Sequence, residues 1–177
     1  MGLIAAAGQA PEDLNPKAKW HELPRSGWDS EYRLADQDRD GVSAEVIYPS
    51  VGMVLCNHPD GDYKKASMDA YNRWITDYCS VNKDRLLAIG QTPLRTVEEG
   101  IAELEEMKSV GMRGVMMPGN PGTDFDYDDP QWDPFWQAAV DLDLPLSWHI
   151  LTTRESGRPR GPKANSFMTI IRANQDI

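Results

Sequence analysis

Several residue types and patterns that define common functional classes are scarce in this chain. Its 177 residues include two cysteines, Cys56 and Cys79, which form neither a CxxC pair nor a disulfide framework. We therefore predict two reduced, packed thiols in a cytosolic protein. No stretch is apolar and long enough to span a bilayer. Lys and Arg number 18 against 28 Asp and Glu, and this net charge of −10 argues against binding nucleic acids or anionic membranes.

Motifs for nucleotide binding and for serine hydrolysis are also missing. Neither G-x-G-x-x-G nor G-x-x-x-x-G-K-[ST] occurs, and no G-x-S-x-G elbow is found. What is present is the composition of a globular protein, with 40% hydrophobic and 26% charged residues. The length suits one domain with a hydrophobic core of its own.

After an irregular segment of residues 1 to about 35, short apolar runs alternate with longer amphipathic stretches. Strands that alternate with helices are typical of βαβ units around a parallel sheet, so we predict the α/β class. The predicted strands are Ala44–Tyr48, Leu86–Gly90, Gly114–Met117 and Leu146–Leu151. Helices are predicted from Asp62 to about Val81, after Thr96, after Asp129 and over 167–171.

Local signals mark the ends of these helices. Asp62 is expected to cap the first one. Thr96 is followed three residues later by Glu99, the spacing of a capping box, and Gly111 stands where a left-handed cap belongs. Asp129 and the following proline are expected to open the next helix. Its apolar stripe is Trp132, Phe135, Trp136, Ala139 and Val140.

Parallel α/β proteins carry their function at the carboxyl ends of the strands, where this chain places Ser50, Gln91, Asn120 and His149. His149 is the one histidine within a predicted strand, and its imidazole would suit a metal ion or a proton transfer. The alternative is a histidine packed beside Trp148 and hydrogen-bonded to the backbone. On the residues alone this second interpretation is slightly favoured.

Other polar groups carry weaker functional signals. The run Asp36 to Gly41 begins like a calcium loop, but Ile47 stands where the bidentate glutamate is needed, so we predict an acidic helix end capped by Gly41. Cys56 and His58 lack a second ligand pair for a structural zinc site. Arg154 lies in a loop rich in Gly and Pro, where it either binds a substrate carboxylate or belongs to a solvated basic loop.

An ordered series of segments resembles the amidohydrolase-related family, which includes aminocarboxymuconate-semialdehyde decarboxylase and related hydrolases and hydratases. The resemblance extends from about Gly27 to Ile177. The segments are Asp40-Gly41-Val42, AEVIYPS at 44–50, AYNRW at 70–74, Asp84-Arg85-Leu86, GMRGVMMP at 111–118, DPFW at 133–136 and LPLSWH at 144–149.

The resemblance implies a (β/α)8 barrel that holds one divalent metal, usually zinc. In the family the ligands are an H-x-H pair on the first strand, a histidine ending the fifth and an aspartate on the last, with a further histidine on the sixth for acid–base chemistry. Only the fifth-strand histidine maps here, onto His149, and no H-x-H occurs. We therefore expect a partial barrel with strands two to five, formed by 36–177 after an irregular segment at 1–35. The chain is expected to be either an internal piece of a longer enzyme or the product of a truncated reading frame.

The implied activity is metal-dependent hydrolysis or decarboxylation of a small carboxylated substrate. In this hypothesis His149 binds the metal, Ser50, Gln91 and Asn120 line the pocket, and Arg154 holds the carboxylate. No catalytic acid or base is assigned. One alternative is a catalytically silent piece that serves packing or partner binding, and another, ranked last, is a flavodoxin-type binding domain. Since an open half-barrel has unpaired strand edges, we also expect a homo-oligomer.

Overall fold

The structure, a computed structural model, describes residues 9–50, 52–149 and 152. Strands and α-helices alternate through most of this range, with short 3-10 turns at Pro11–Asp13, Trp20–Glu22, Arg25–Gly27 and Pro130–Trp132. The elements are α1 (Ser30–Asp40), β1 (Glu45–Ile47), α2 (Gly52–Leu55), α3 (Gly61–Cys79), β2 (Leu86–Gln91), α4 (Val97–Ser109), β3 (Gly114–Met117), α5 (Asp133–Asp141) and β4 (Leu146–Trp148).

The chain divides into two compact units. The first extends up to Val46 and includes Asp77–Leu87, and the second contains Ile47–Thr76 and the chain from Ala88 onward. The first unit is organised around Glu45, which accepts two hydrogen bonds from Arg33, at 2.6 and 2.9 Å, and one from Gln37 at 2.7 Å. Its helix α1 begins at Ser30, within the segment predicted to be irregular, and ends at Gly41 with φ +70°. That end confirms the predicted helix cap at Gly41.

The four strands form one sheet in chain order, β1-β2-β3-β4. Strands β2 and β3 are parallel, as are β3 and β4, with Gln91 opposite Met116 and Met116 opposite Ser147. Because side chains alternate along a strand, Gln91, Met116 and Ser147 share one face of the sheet. On the other face a Cβ at Gly90 would lie within 2.7 Å of the sulfurs of Met107 and Met112, so this face packs against α4.

The core of the second unit lies between helices and sheet. Trp132 and Phe135 are fully buried and pack edge to face with ring centroids 5.9 Å apart. The predicted stripe is confirmed for these two residues and for Ala139, but Val140 is 72% exposed and its assignment to the stripe was wrong. The reason is that the α-helix begins at Asp133, after the 3-10 turn that carries Trp132, so its buried face centres on Phe135 and Ala139.

Some predicted helix boundaries are confirmed, while the starts of α3 and α5 are corrected. Thr96 accepts the amide of Glu99 at 3.1 Å, and Gly111 has φ +88°, as the sequence predicted. Asp62 does not cap α3, because Asp60 accepts the amides of Asp62 and Tyr63, each at 3.0 Å. The predicted helix at 167–171 and the end of the last strand lie outside the described residues. None of the helices in the described part is long and apolar enough to cross a membrane.

Candidate functional site

His149 follows β4 directly and is half-buried. It lies two residues after Ser147, which shares one face of the sheet with Gln91 and Met116. Thr152 donates its hydroxyl to the His149 carbonyl at 2.6 Å, and its own carbonyl accepts the amide of Gly119 at 3.2 Å. The segment after β4 is thus joined to the loop after β3, next to Asn120.

Gln91 is the last residue of β2 and is 1% exposed. Its amide N–H donates to Oδ1 of Asn72 at 2.8 Å, and Nδ2 of Asn72 donates to the Gln91 carbonyl at 2.8 Å. Neither Oε1 nor Nε2 of Gln91 has a hydrogen-bond partner among the described residues. The side chain rests against Gly52, where an added Cβ would lie 2.1 Å from Oε1.

The other predicted site residues lie in loops or outside the described part of the chain. Ser50 is exposed in the loop after β1, two residues before Gly52. Asn120 is half-buried three residues after the end of β3. Arg154 lies outside the described residues, so its assignment to a substrate carboxylate stays a prediction. The structure therefore links Gly119, the neighbour of Asn120, with His149 through the contacts of Thr152, and places Gln91 beside Gly52.

A polar network behind β2 was not anticipated from the sequence. Thr92 donates its hydroxyl to Oε2 of Glu103 at 2.5 Å and accepts the amide of Leu94 at 3.1 Å. Lys65 donates to Oε1 of Glu103 at 3.0 Å. Burial raises the pKa of Glu103, although the hydrogen bonds from Thr92 and Lys65 oppose that change. The sequence offered two signals for this network: a threonine directly after a predicted strand, and a glutamate on the capped helix that follows.

The turn after Thr92 is conformationally strained. Leu94 is fully buried and has φ +48°, in the left-handed region that side chains with a Cβ rarely adopt. Its carbonyl accepts the amide of Gly122 at 2.8 Å, and a Cβ at Gly122 would lie 2.8 Å from the same oxygen. Strained non-glycine residues persist where their surroundings over-determine them, which occurs often at functional sites. The Gly122 backbone therefore holds the loop at the carboxyl end of β2 through both a hydrogen bond and close packing.

The described residues do not assemble a metal site. Among residues 9–50, 52–149 and 152, no three His, Cys, Asp or Glu side chains come together where they could hold an ion. Cys56 is buried, and burial raises the pKa of its thiol to about 11, so it is a protonated core group. Cys79 is also free and buried, which confirms the prediction of two packed thiols. His149 remains the candidate ligand, and a catalytic zinc needs about three protein ligands.

Comparison with known proteins identifies the family. The amidohydrolase family model matches residues 15–168. The chain belongs to the amidohydrolase family. A curated relative, the gamma-resorcylate decarboxylase of Rhizobium radiobacter, is 29% identical over 153 residues, which cover 81% of this chain and 44% of that protein. The chain therefore spans less than half the length of this relative.

Solved structures establish the fold. A 2,6-dihydroxybenzoate decarboxylase complexed with 2,6-dihydroxybenzoate superposes with a TM-score of 0.62 at 23% identity, covering 72% of this chain and 41% of that one. The 5-carboxyvanillate decarboxylase of Novosphingobium aromaticivorans, with bound manganese, gives 0.58 at 24% identity, covering 71% and 36%. With the parallel strand order, these similarities confirm the α/β class and a partial (β/α)8 barrel of four strands.

Proposed function

We propose that the protein acts as a metal-dependent decarboxylase of small carboxylated aromatic substrates. The support is the family match over residues 15–168 together with the relatives, which are named as decarboxylases of such acids. Hydrolysis stays an alternative, because one barrel scaffold serves both reactions. The chain covers 44% of its curated relative, so this proposal concerns the whole protein and not the described residues alone.

The observation that carries the proposal is the position of His149. It directly follows the last described strand, two residues after Ser147, which shares a sheet face with Gln91 and Met116. In our proposal His149 supplies one ligand to a divalent ion, and residues outside the described part supply the others. The family resemblance favours zinc, while the 5-carboxyvanillate decarboxylase holds manganese. Ser50, Gln91 and Asn120 would line the substrate pocket, and Arg154 would pair with the substrate carboxylate.

The decisive experiment compares two histidine variants of the full chain. We expect His149→Ala to lose bound metal, measured by elemental analysis after purification in the presence of zinc or manganese. His58→Ala is the matched control, because His58 lies in another loop, where its ring packs against Tyr63 with centroids 4.5 Å apart. Metal content that is unchanged in His149→Ala, or lost equally in both variants, would remove His149 from the metal site.

A second candidate is a catalytically silent module that packs against a partner or a second copy. The observation that favours it is that the described residues contribute no metal-binding cluster beyond the single candidate His149. In that case the chain would form a homo-oligomer and release no CO2 from 2,6-dihydroxybenzoate. Sedimentation velocity on the purified chain, together with a CO2-release assay, separates the two candidates.

We also propose a cytoplasmic location.

A further inference from the structure

We propose that Gln91 donates a hydrogen bond to a carboxylate oxygen of the substrate, and that Asn72 is the positioning residue that fixes the Gln91 backbone for this contact. The inference rests on the proposed function and specifies which group at the strand ends would hold the substrate. Asn72 lies on α3, 19 positions before Gln91, and nothing in the sequence around it indicated a role at the site.

Asn72 binds the end of β2 as a neighbouring strand would. Its side-chain amide accepts the Gln91 N–H and donates to the Gln91 carbonyl, both at 2.8 Å. One residue earlier on α3, the hydroxyl of Tyr71 donates to the carbonyl of Ile89 at 3.1 Å. At the carboxyl end of β2, the Ile89 carbonyl and both backbone groups of Gln91 are therefore satisfied by side chains of α3.

The Gln91 side chain, in contrast, is buried at a cost. Its amide oxygen and nitrogen are both without a partner in the described part of the chain, and the residue is 1% exposed. Ile89 and Met116, which share its face of the sheet, are apolar and at most 5% exposed. A buried amide without partners destabilises the fold, so a methionine of similar length would suit the fold better. An unpaired group of this kind calls for a functional explanation.

Gly52 lies so close to this amide that a side chain at position 52 would displace the end of the Gln91 side chain. A Cβ there would lie 2.1 Å from Oε1, 2.6 Å from Cδ and 2.7 Å from Nε2 of Gln91. Because Gln91 is 1% exposed, contact between its amide and a substrate requires a shift of the Gln91 side chain or of the Gly52 backbone that covers it. The amide then offers N–H donors to a group that only accepts hydrogen bonds, and a carboxylate is such a group.

The test uses Gln91→Met and, as a matched control, Gln137→Met on the exposed surface of α5. Binding of 2,6-dihydroxybenzoate to the metal-supplemented full chain is measured by calorimetry, and the melting temperature by circular dichroism. We expect Gln91→Met to melt at a higher temperature than the unaltered chain and to bind the probe about tenfold to a hundredfold more weakly. Gln137→Met should leave binding unchanged.

The role of Asn72 is tested by a double-mutant cycle. Asn72→Ala should weaken binding in the unaltered background but have no further effect on binding in the Gln91→Met background, while it lowers the melting temperature in both. A merely structural asparagine would weaken binding equally in the two backgrounds, and that result would overturn its positioning role. Asn72→Asp, which keeps the acceptor for the Gln91 N–H, should retain more binding than Asn72→Ala.

Two outcomes separate failure of this inference from failure of the proposed function. If the unaltered chain binds the probe and Gln91→Met binds it equally well, or melts at a lower temperature, the inference is overturned and the proposed function stands. If the unaltered metal-supplemented chain binds neither 2,6-dihydroxybenzoate nor 5-carboxyvanillate, both are overturned.

Discussion

The hydroxyl of Thr92 donates a 2.5 Å hydrogen bond to Oε2 of Glu103, a carboxyl that is 7% exposed. Lys65 donates to the second oxygen of the same carboxyl. The buried carboxyl thus ties the first residue after β2 to helices α3 and α4. Because the pKa of Glu103 is raised mainly by burial, this contact has a measurable dependence on pH.

We predict that Glu103→Gln changes how stability varies with pH. Above the usual glutamate pKa of 4.5, the native state holds the Glu103 proton more tightly than the unfolded state does. The free energy of unfolding contributed by this group therefore falls as pH rises from 4.5 to the raised native value. Glutamine does not titrate, so the variant should gain stability relative to the unaltered chain over this interval. Urea denaturation at pH 4, 5, 6 and 7 measures the difference, and a difference that is constant with pH would contradict the prediction.

We predict the opposite sign for Glu45→Gln. Burial raises the pKa of Glu45, but the hydrogen bonds from Arg33 and Gln37 outweigh it, so the net change is a lowered pKa. The stabilisation from this carboxylate is present above pH 4.5 and is lost as pH falls through the lowered native value. The variant should be less stable than the unaltered chain at pH 7, and the deficit should shrink toward acid. Urea titrations extended from pH 7 to below pH 4 measure it, and a deficit that grows in acid would refute it.

Features encoded by neighbouring residues could be predicted from the sequence. The cap at Thr96 and the left-handed Gly111 each depend on a few consecutive positions, so the local pattern contains the whole geometry. The parallel sheet follows from the alternation of strands and helices in the same way. Even here the choice between Asp60 and Asp62 as the cap of α3 was missed, because both are acidic residues within two positions of the start of the helix.

Contacts between distant residues could not be predicted. Asn72 and Gln91 are 19 positions apart, and Lys65 and Glu103 are 38 apart. Polar residues of these types are common on helices and strands, so none of the four stands out in the sequence. Each acquires its specific partner only when α3 packs against the end of β2 and against α4. The candidate site was accordingly predicted as a set of strand ends, without the residues that hold those ends in place.

We predict that Gly100→Ala destabilises the protein although alanine favours helices. A Cβ at Gly100 would lie 2.7 Å from Cδ2 of Leu94 and 3.1 Å from the Phe135 ring, and both neighbours are fully buried. Overpacking of this kind typically costs about 1–3 kcal/mol. The control is Ala102→Gly on the exposed side of α4, which should cost about 1 kcal/mol through helix propensity alone. Chemical denaturation measures both variants, and a stabilised Gly100→Ala would contradict the close packing.

We predict that position 143 prefers glycine to a branched side chain because of its backbone conformation. Asp143 follows the end of α5 with φ +49° and is exposed. Lys108 donates to its backbone carbonyl at 3.4 Å, a contact that does not depend on the side chain. Asp143→Gly should therefore be neutral or stabilising by up to about 1 kcal/mol, whereas Asp143→Val should cost about 1–2 kcal/mol. In a chain of this size 1 kcal/mol corresponds to about 2–4 °C in melting temperature, which thermal denaturation resolves. Equal melting temperatures for the glycine and valine variants would show that the left-handed turn does not control stability here.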